Sequence, residues 1–152
     1  MRTFSKGIFI LFLIISSCSH RLTPTTAKVN YLSSSDGTIT MRAIGNGENQ
    51  QEAITNAEKN SFEVLFFRGL PGSEQKIALI GINETEAKQK YQSYFDKFYN
   101  EQRYKTFLLS SIPANNLMNN GRYKSIAVDI KINVTALRKD LEQFNVIRKF
   151  GY

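Results

Sequence analysis

The fold is decided by residues 38–71, which have the sequence TITMRAIGNGENQQEAITNAEKNSFEVLFFRGLP. Apolar and polar residues alternate over the first seven positions, which is the period-two pattern of a strand with one buried face. Two glycines then permit a tight reversal, and Asn49 followed by Glu52 is the signature of a capping box. The stretch therefore predicts a strand, a turn and a helix that begins near Asn49.

The predicted helix carries its own packing stripe and its own stop signal. Ala53, Ala57 and Ser61 recur every four residues, so small side chains lead one face and let the helix lie close to the layer it covers. Gly69 can adopt the left-handed conformation that ends a helix, and Pro71 forbids its continuation. We therefore expect the helix to end near residue 68, with its larger apolar residues at the wider end.

The rest of the chain predicts an α+β fold, in which an antiparallel sheet of three or four strands is covered by two or three helices. The further elements are a helix over 84–99 capped by Asn83, a strand over 104–111, a hairpin loop over 112–121, a strand over 125–134, and a helix capped by Thr135 with Leu137, Leu141 and Phe144 inside. Residues 29–32 could add an edge strand, and residues 77–80 fit a strand or a packed loop equally well. The predicted core comprises Met41, Ala53, Ala57, Phe62, Leu65, Ile126, Val128, Ile130 and Leu137.

The N-terminus has the pattern of an export signal. Two basic residues precede an apolar run over 8–15, which is far shorter than the roughly 20 residues that span a bilayer. The run ends in Ile15-Ser16-Ser17-Cys18, which resembles the bacterial lipobox, and the resemblance implies that Cys18 is lipidated and becomes the first residue. The alternative is an ordinary signal peptide with a chance cysteine. The predicted organisation is a signal peptide over 1–17, an anchor and flexible tether over 18–36, and one domain over 37–152.

The resemblance also implies a location. Two or three acyl chains on Cys18 would hold the protein at a membrane outside the cytoplasm. Ser19 stands where an aspartate would signal retention at the inner membrane, so the resemblance favours the outer membrane, with the domain facing the periplasm. The Ser- and Thr-rich tether would reach about 25 Å as a random coil. His20 lies in this tether and is more typical of a solvated linker than of a ligand.

Composition argues against several classes of chemistry. The chain has one cysteine, one histidine and no tryptophan, and Cys18 and His20 both precede the predicted domain. Thiol and imidazole nucleophiles and soft-metal sites are therefore not expected there, and Gly45-x-Gly47 lacks the third glycine of a dinucleotide loop. We expect no catalytic residue, no metal and no cofactor, so the chain is predicted not to be an enzyme. The formal charge of +7 is dispersed, which favours a solvated surface over nucleic-acid binding, with attraction to anionic lipid as the alternative.

Aromatic residues in the second helix raise the possibility of a protein-binding surface. Tyr94 and Tyr99 fall off the apolar stripe of that helix, and aromatic residues are enriched at interface hot spots. The predicted partner-binding residues are Phe67, Arg68, Leu70, Tyr94 and Tyr99. The alternative is that Phe67 and Tyr99 pack under the loop over residues 70–82.

The order of elements resembles a family. The matching residues are Ala43-x-Gly45-x-Gly47, Glu52-Ala53, Ala57, and Tyr123-Lys124-Ser125-Ile126-Ala127-Val128 leading into Leu137. They are similar to small outer-membrane lipoproteins related to the N-terminal domain of the flagellar assembly protein FlgT. The resemblance implies a noncatalytic envelope module with a protein partner, acting as an assembly or scaffold component of a larger machine such as a secretion apparatus.

The alternative is a binder of a small or polymeric envelope ligand such as peptidoglycan, which needs a concave pocket with convergent polar groups. No such polar cluster is evident in the sequence.

Overall fold

The computed structural model describes residues 28–121 and 123–149. The elements follow the chain as β1 Val29–Ser35, β2 Thr38–Gly47, α1 Gln50–Phe67, α2 Glu84–Lys90, α3 Gln92–Phe95, a π-helical turn Asp96–Asn100, a 3-10 turn Arg103–Phe107, β3 Leu108–Pro113, β4 Met118–Asn120, β5 Tyr123–Asn133 and α4 Val134–Gln143. The predicted α+β fold is confirmed.

The sheet is antiparallel and has five strands in the order β1-β2-β5-β3, with β4 also paired to β5. The strand beyond the predicted three or four is β4, which lies in the predicted hairpin loop. The possible edge strand over residues 29–32 is part of β1, which pairs with β2 from Val29 opposite Ala43 to Ser35 opposite Thr38. The prediction of a flexible tether up to residue 36 is therefore wrong from residue 29 on, and the folded domain begins before residue 37. The sequence indicated only residues 29–32 of this strand, because Ser33, Ser34 and Ser35 have no apolar pattern and are held by pairing with β2. The signal peptide, Cys18 and the start of the tether lie outside the described residues.

The core lies between α1 and the inner face of β2 and β5. Met41 is opposite Ile130 and Ala43 is opposite Val128 in the central strand pair. All nine predicted core residues are buried, so that prediction is confirmed. The small stripe of α1 brings the helix close to the sheet, since a Cβ placed on Gly45 would lie 1.9 Å from the carbonyl oxygen of Ala53.

Both predicted ends of α1 are confirmed. The side chain of Asn49 accepts a hydrogen bond of 2.9 Å from the backbone N–H of Glu52. The Glu52 carboxylate reaches back to the N–H of Glu48 at 3.0 Å, one residue before the cap amide that we expected. Gly69 has the positive φ of 73° that a helix-ending glycine needs.

Residues 77–80 form a packed loop rather than a strand. The N–H of Leu79 donates to the carbonyl oxygen of Leu65 at 2.9 Å, and the N–H of Ile80 donates to that of Phe66 at 3.0 Å. The last turn of a helix leaves carbonyl groups without intrahelical partners. This loop therefore completes the C-terminal end of α1.

The helix predicted over 84–99 is broken. The expected cap is confirmed, because the Asn83 side chain accepts from the N–H of Glu86, but α2 stops before Tyr91, where φ is −113° and ψ is 35°. Helix α2 has no buried residue, whereas the following α3 and π-helical turn bury Tyr94, Phe95 and Phe98. A π turn adds a residue to the helical repeat and so shifts the face that follows. Packing of the aromatic half, rather than a local helix breaker, separates the two pieces.

Two further boundaries differ from prediction near the C-terminal half. The strand expected from residue 104 begins at Leu108, because the preceding 3-10 turn buries Tyr104 and Phe107 on one side with a spacing of three residues. Asn133 rather than Thr135 caps α4, since its side-chain oxygen accepts from the N–H of Ala136 at 2.9 Å. Phe144, expected on the inner face of this helix, is exposed.

Candidate functional site

The predicted partner-binding residues do not form a surface. Phe67 is 3 % exposed, Leu70 is 1 % exposed and Tyr94 is 4 % exposed, while Tyr99 is partly buried. Of the five, only Arg68 is exposed. The expectation that Phe67 and Tyr99 point away from the core is therefore wrong.

The aromatic rings fill the space between the C-terminal half of α1 and the π-helical turn. The Phe67 ring lies 6.0 Å from that of Phe95, and the Tyr99 ring lies 5.0 Å from that of Phe98. Phe98 in turn lies 5.2 Å from Phe62 in an edge-to-face arrangement. Such pairs add stabilisation beyond the area that they bury. The many aromatic residues of this segment therefore belong to the core. This agrees with the alternative that Phe67 and Tyr99 are packed inside the protein, although these contacts join them to other rings rather than to the loop over residues 70–82.

A polar cluster closes one side of the aromatic core. The ammonium group of Lys88 on α2 donates to Glu63 at 2.9 Å and to Glu84 at 2.8 Å. The same ammonium lies 5.6 Å from the centre of the Phe67 ring and 5.8 Å from that of Tyr99, within cation–π range. Burial raises the pKa of Glu63 in spite of its bond to Lys88. The cluster therefore holds the polar helix α2 over the rings.

A second polar cluster fastens α4 to the aromatic segment. The hydroxyl of Tyr94 donates to the Asp140 carboxylate at 2.9 Å, and Arg103 forms an ion pair with the same carboxylate. The guanidinium also lies 4.5 Å from the centre of the Phe144 ring, which explains why that ring stays at the surface. Burial raises the pKa of the Tyr94 phenol, with the Asp140 hydrogen bond acting in the same direction. Because Asp140 pairs with both Tyr94 and Arg103, the second cluster has a structural explanation.

The face of the sheet opposite α1 carries exposed apolar side chains, and we call it the open face. Ile112, 61 % exposed, pairs with Asp129, and Met118, 53 % exposed, pairs with Ser125. Asp129 accepts two hydrogen bonds from Arg42 at 2.7 and 2.8 Å across the strand pair, and hydrogen bonding to Arg42 lowers the pKa of the carboxylate. The alternation in β5 predicts a solvent-facing side, but the exposed apolar side chains come from Ile112 and Met118, which the sequence places in a hairpin loop.

A cleft lies between the start of α1 and the adjoining ends of β2 and β5. Its volume is about 370 Å³. Gln51, Thr55 and Lys59, spaced four residues apart on α1, face Tyr123 of β5 across it. The structure thus brings together polar side chains that were not evident as a cluster in the sequence. The four-residue spacing on α1 was a usable signal, but Tyr123 joins it through a strand pairing that the sequence did not reveal.

No metal-ligand cluster and no membrane-spanning helix are found among the described residues. Within residues 28–121 and 123–149, no three His, Cys, Asp or Glu side chains are grouped so that they could hold a metal ion. No helix in the same part of the chain is long and apolar enough to cross a membrane. The comparisons with known proteins gave no matching family model, no matching curated protein and no matching solved structure.

Proposed function

We propose that this chain is a noncatalytic, lipid-anchored module of the cell envelope that holds a protein partner close to the membrane. The observation that carries the proposal is Ile15-Ser16-Ser17-Cys18, placed directly after a short apolar run behind two basic residues. That arrangement is typical of an exported protein whose cysteine receives lipid, and the lipid would supply the anchor. An assembly or secretion machine is a setting in which such a module acts as a scaffold.

The open face supports the second half of the proposal. Exposed apolar side chains that lie together on one surface are typical of protein-binding sites. Ile44 of β2 lies on the same face as Ile112. Ile44 pairs with Ala127 of β5, and Ile112 pairs with Asp129 of β5. Because Ala127 and Asp129 are two residues apart on one strand, their side chains and those of their partners point to the same face. The Arg42 to Asp129 ion pair borders this apolar surface. The aromatic residues first expected to bind the partner are used in the core, so the open face replaces them as the proposed docking surface.

Lipidation is tested by changing the cysteine and its neighbour. Cys18→Ala should leave uncleaved or misprocessed protein, whereas the wild-type chain should carry acyl mass and fractionate with outer membranes. Ser19→Asp is the matched variant, because it should keep the lipid and move the protein to the inner membrane. A normally cleaved, soluble Cys18→Ala chain that is indistinguishable from wild type would contradict the anchor.

Docking is tested by photo-crosslinking in intact cells. A photoreactive amino acid at Ile112 should capture one or a few envelope proteins, and the same amino acid at Ile82 is the control, since Ile82 is an exposed isoleucine in the loop before α2. Ile44→Asp should abolish the capture at position 112 while the thermal midpoint stays close to wild type. Equal capture at both positions, or capture that survives Ile44→Asp, would rule out the open face.

A further inference from the structure

We propose that the cleft between α1 and Tyr123 is a binding site for a neutral sugar that carries an acetamide group. This inference goes beyond the scaffold function, because the cleft lies in the folded domain and its use does not require the lipid anchor. It specifies the chemical class of ligand for the alternative function, the binding of an envelope ligand. Some polar groups of the cleft are engaged in hydrogen bonds within the protein, and others are not.

One set of polar groups builds the wall of the cleft. The Glu52 carboxylate accepts from the N–H of Glu48 at 3.0 Å and from the Asn49 amide at 2.7 Å. The Asn56 side-chain oxygen accepts from the N–H of Asn46 at 3.0 Å, which ties α1 to the end of β2. These bonds fix the positions of the backbone around the cleft. The site is therefore largely preformed, as small-molecule sites usually are.

A second set of polar groups in the cleft makes no hydrogen bonds of this kind. Among the described residues, the side chains of Gln51, Thr55, Lys59 and Tyr123 have no hydrogen-bond partner, although all four line the cleft. Together they offer an amide, a hydroxyl, an ammonium and a phenol. The amide has both donors and an acceptor, so it can pair with the N–H and the carbonyl oxygen of an acetamide. The hydroxyl and the ammonium suit the hydroxyl groups of a sugar ring.

Charge and size narrow the ligand class. The lining contains two carboxylates, Glu48 and Glu52, and one cation, Lys59, so the cleft does not favour a phosphate or a free carboxylate. The ring of Tyr123 offers an apolar surface with a polar tip, which suits the apolar face of a sugar. A volume of about 370 Å³ is at the small end of ligand sites and fits one or two sugar rings.

The test uses the absence of tryptophan from the chain. In the full-length chain in detergent, Tyr123→Trp places a single fluorophore in the cleft. Titration with N,N′-diacetylchitobiose should give a saturable change in its emission. Cellobiose, which lacks acetamide groups, should bind about tenfold more weakly, because the Gln51 amide is then left unpaired.

Two controls separate specific binding from other effects. Phe144→Trp puts the fluorophore on an exposed aromatic position near Arg103, outside the cleft, and should not respond. Isothermal titration of the wild-type chain shows whether the sugar binds without the reporter, and Gln51→Ala should weaken that binding about tenfold. No saturable binding in either format, equal binding of cellobiose, or an equal response at position 144 would overturn the proposal.

The source of the sugar is decided by a further arm. Co-sedimentation of the full-length chain with purified peptidoglycan, reduced by Gln51→Ala, would identify the wall polymer as the ligand. Binding of the disaccharide without co-sedimentation would identify free amino sugar. Failure of lipidation at Cys18 would leave these results unchanged, so the two proposals fail separately.

Discussion

Replacing Gly45 by alanine tests the closest contact in the fold. The new Cβ would lie 1.9 Å from the carbonyl oxygen of Ala53 and 2.6 Å from the backbone nitrogen of Ala57. Both are backbone atoms of α1, so no side chain can turn away to make room. The helix has to move outward by about 1 Å, which loosens its packing on β2 along several turns.

The expected cost is at the upper end of the overpacking range, about 3 kcal/mol in the free energy of unfolding. For a domain of this size that corresponds to a fall of roughly 10 °C in the thermal midpoint. Urea denaturation followed by far-ultraviolet circular dichroism measures the free energy directly. The slope with denaturant should stay unchanged if the variant keeps the fold.

Two companion variants identify the cause. Gly72→Ala has a positive φ of 87° but meets nothing closer than 3.4 Å, so it should show the conformational cost alone, about 1 to 2 kcal/mol. Ala57→Gly should fail to rescue Gly45→Ala, because the nearest obstacle is the Ala53 oxygen rather than the Ala57 methyl group. A Gly45→Ala chain within about 0.5 kcal/mol of wild type would refute the close approach of α1 to β2.

The other predictions concern packing, titration and capping. Ala57→Leu should lower the free energy of unfolding by about 1 to 3 kcal/mol, and an unchanged melting midpoint would mean that this helix face is not buried. Phe67→Ala should lower the free energy of unfolding, measured by urea denaturation, by about 3 to 5 kcal/mol, because it leaves a cavity in the aromatic core. An unchanged free energy would mean that Phe67 is not buried. Burial raises the pKa of Glu63, so the folded chain holds this proton more tightly than the unfolded chain does, and stability should fall as pH rises from the ordinary carboxyl pKa to the raised one. Glu63→Gln should flatten that fall in urea midpoints measured against pH, and an unaltered profile would exclude the group. Asn133→Ala should cost about 1 kcal/mol and Thr135→Ala less than about 0.5 kcal/mol, and the reverse order would restore Thr135 as the cap of α4.

The features that the sequence predicted well are those set by local chemistry. The cap at Asn49 and the end at Gly69 depend on side-chain and backbone preferences within a few residues. The alternation in β5 marks its buried face without reference to any partner strand. These features needed no knowledge of the tertiary structure, which explains why the prediction of the core was confirmed.

The features that the sequence missed depend on tertiary packing and strand pairing. The break at Tyr91 has no glycine or proline to announce it, and it follows from burial of the aromatic half of the segment. The extension of β1 beyond residue 32 depends on pairing with β2, because Ser33, Ser34 and Ser35 have no apolar pattern. The cleft depends on a strand pairing that places Tyr123 beside α1. In each case the deciding contact is a packing or strand-pairing contact rather than a preference of the local sequence.

The misassigned aromatic residues follow from the shape of the space under α1. The helix lies close to β2 where Gly45 meets Ala53, and it carries larger side chains toward Phe62 and Phe67. The layer between helix and sheet therefore widens along α1, and the rings supplied by residues 94–107 fill its wide end. Once those rings are used for packing, they are no longer free to bind a partner. At the narrow end, the small residues need no such filling, so the neighbouring face of α1 keeps its polar side chains. The same gradient of side-chain size thus accounts for the failed partner site and for the position of the cleft.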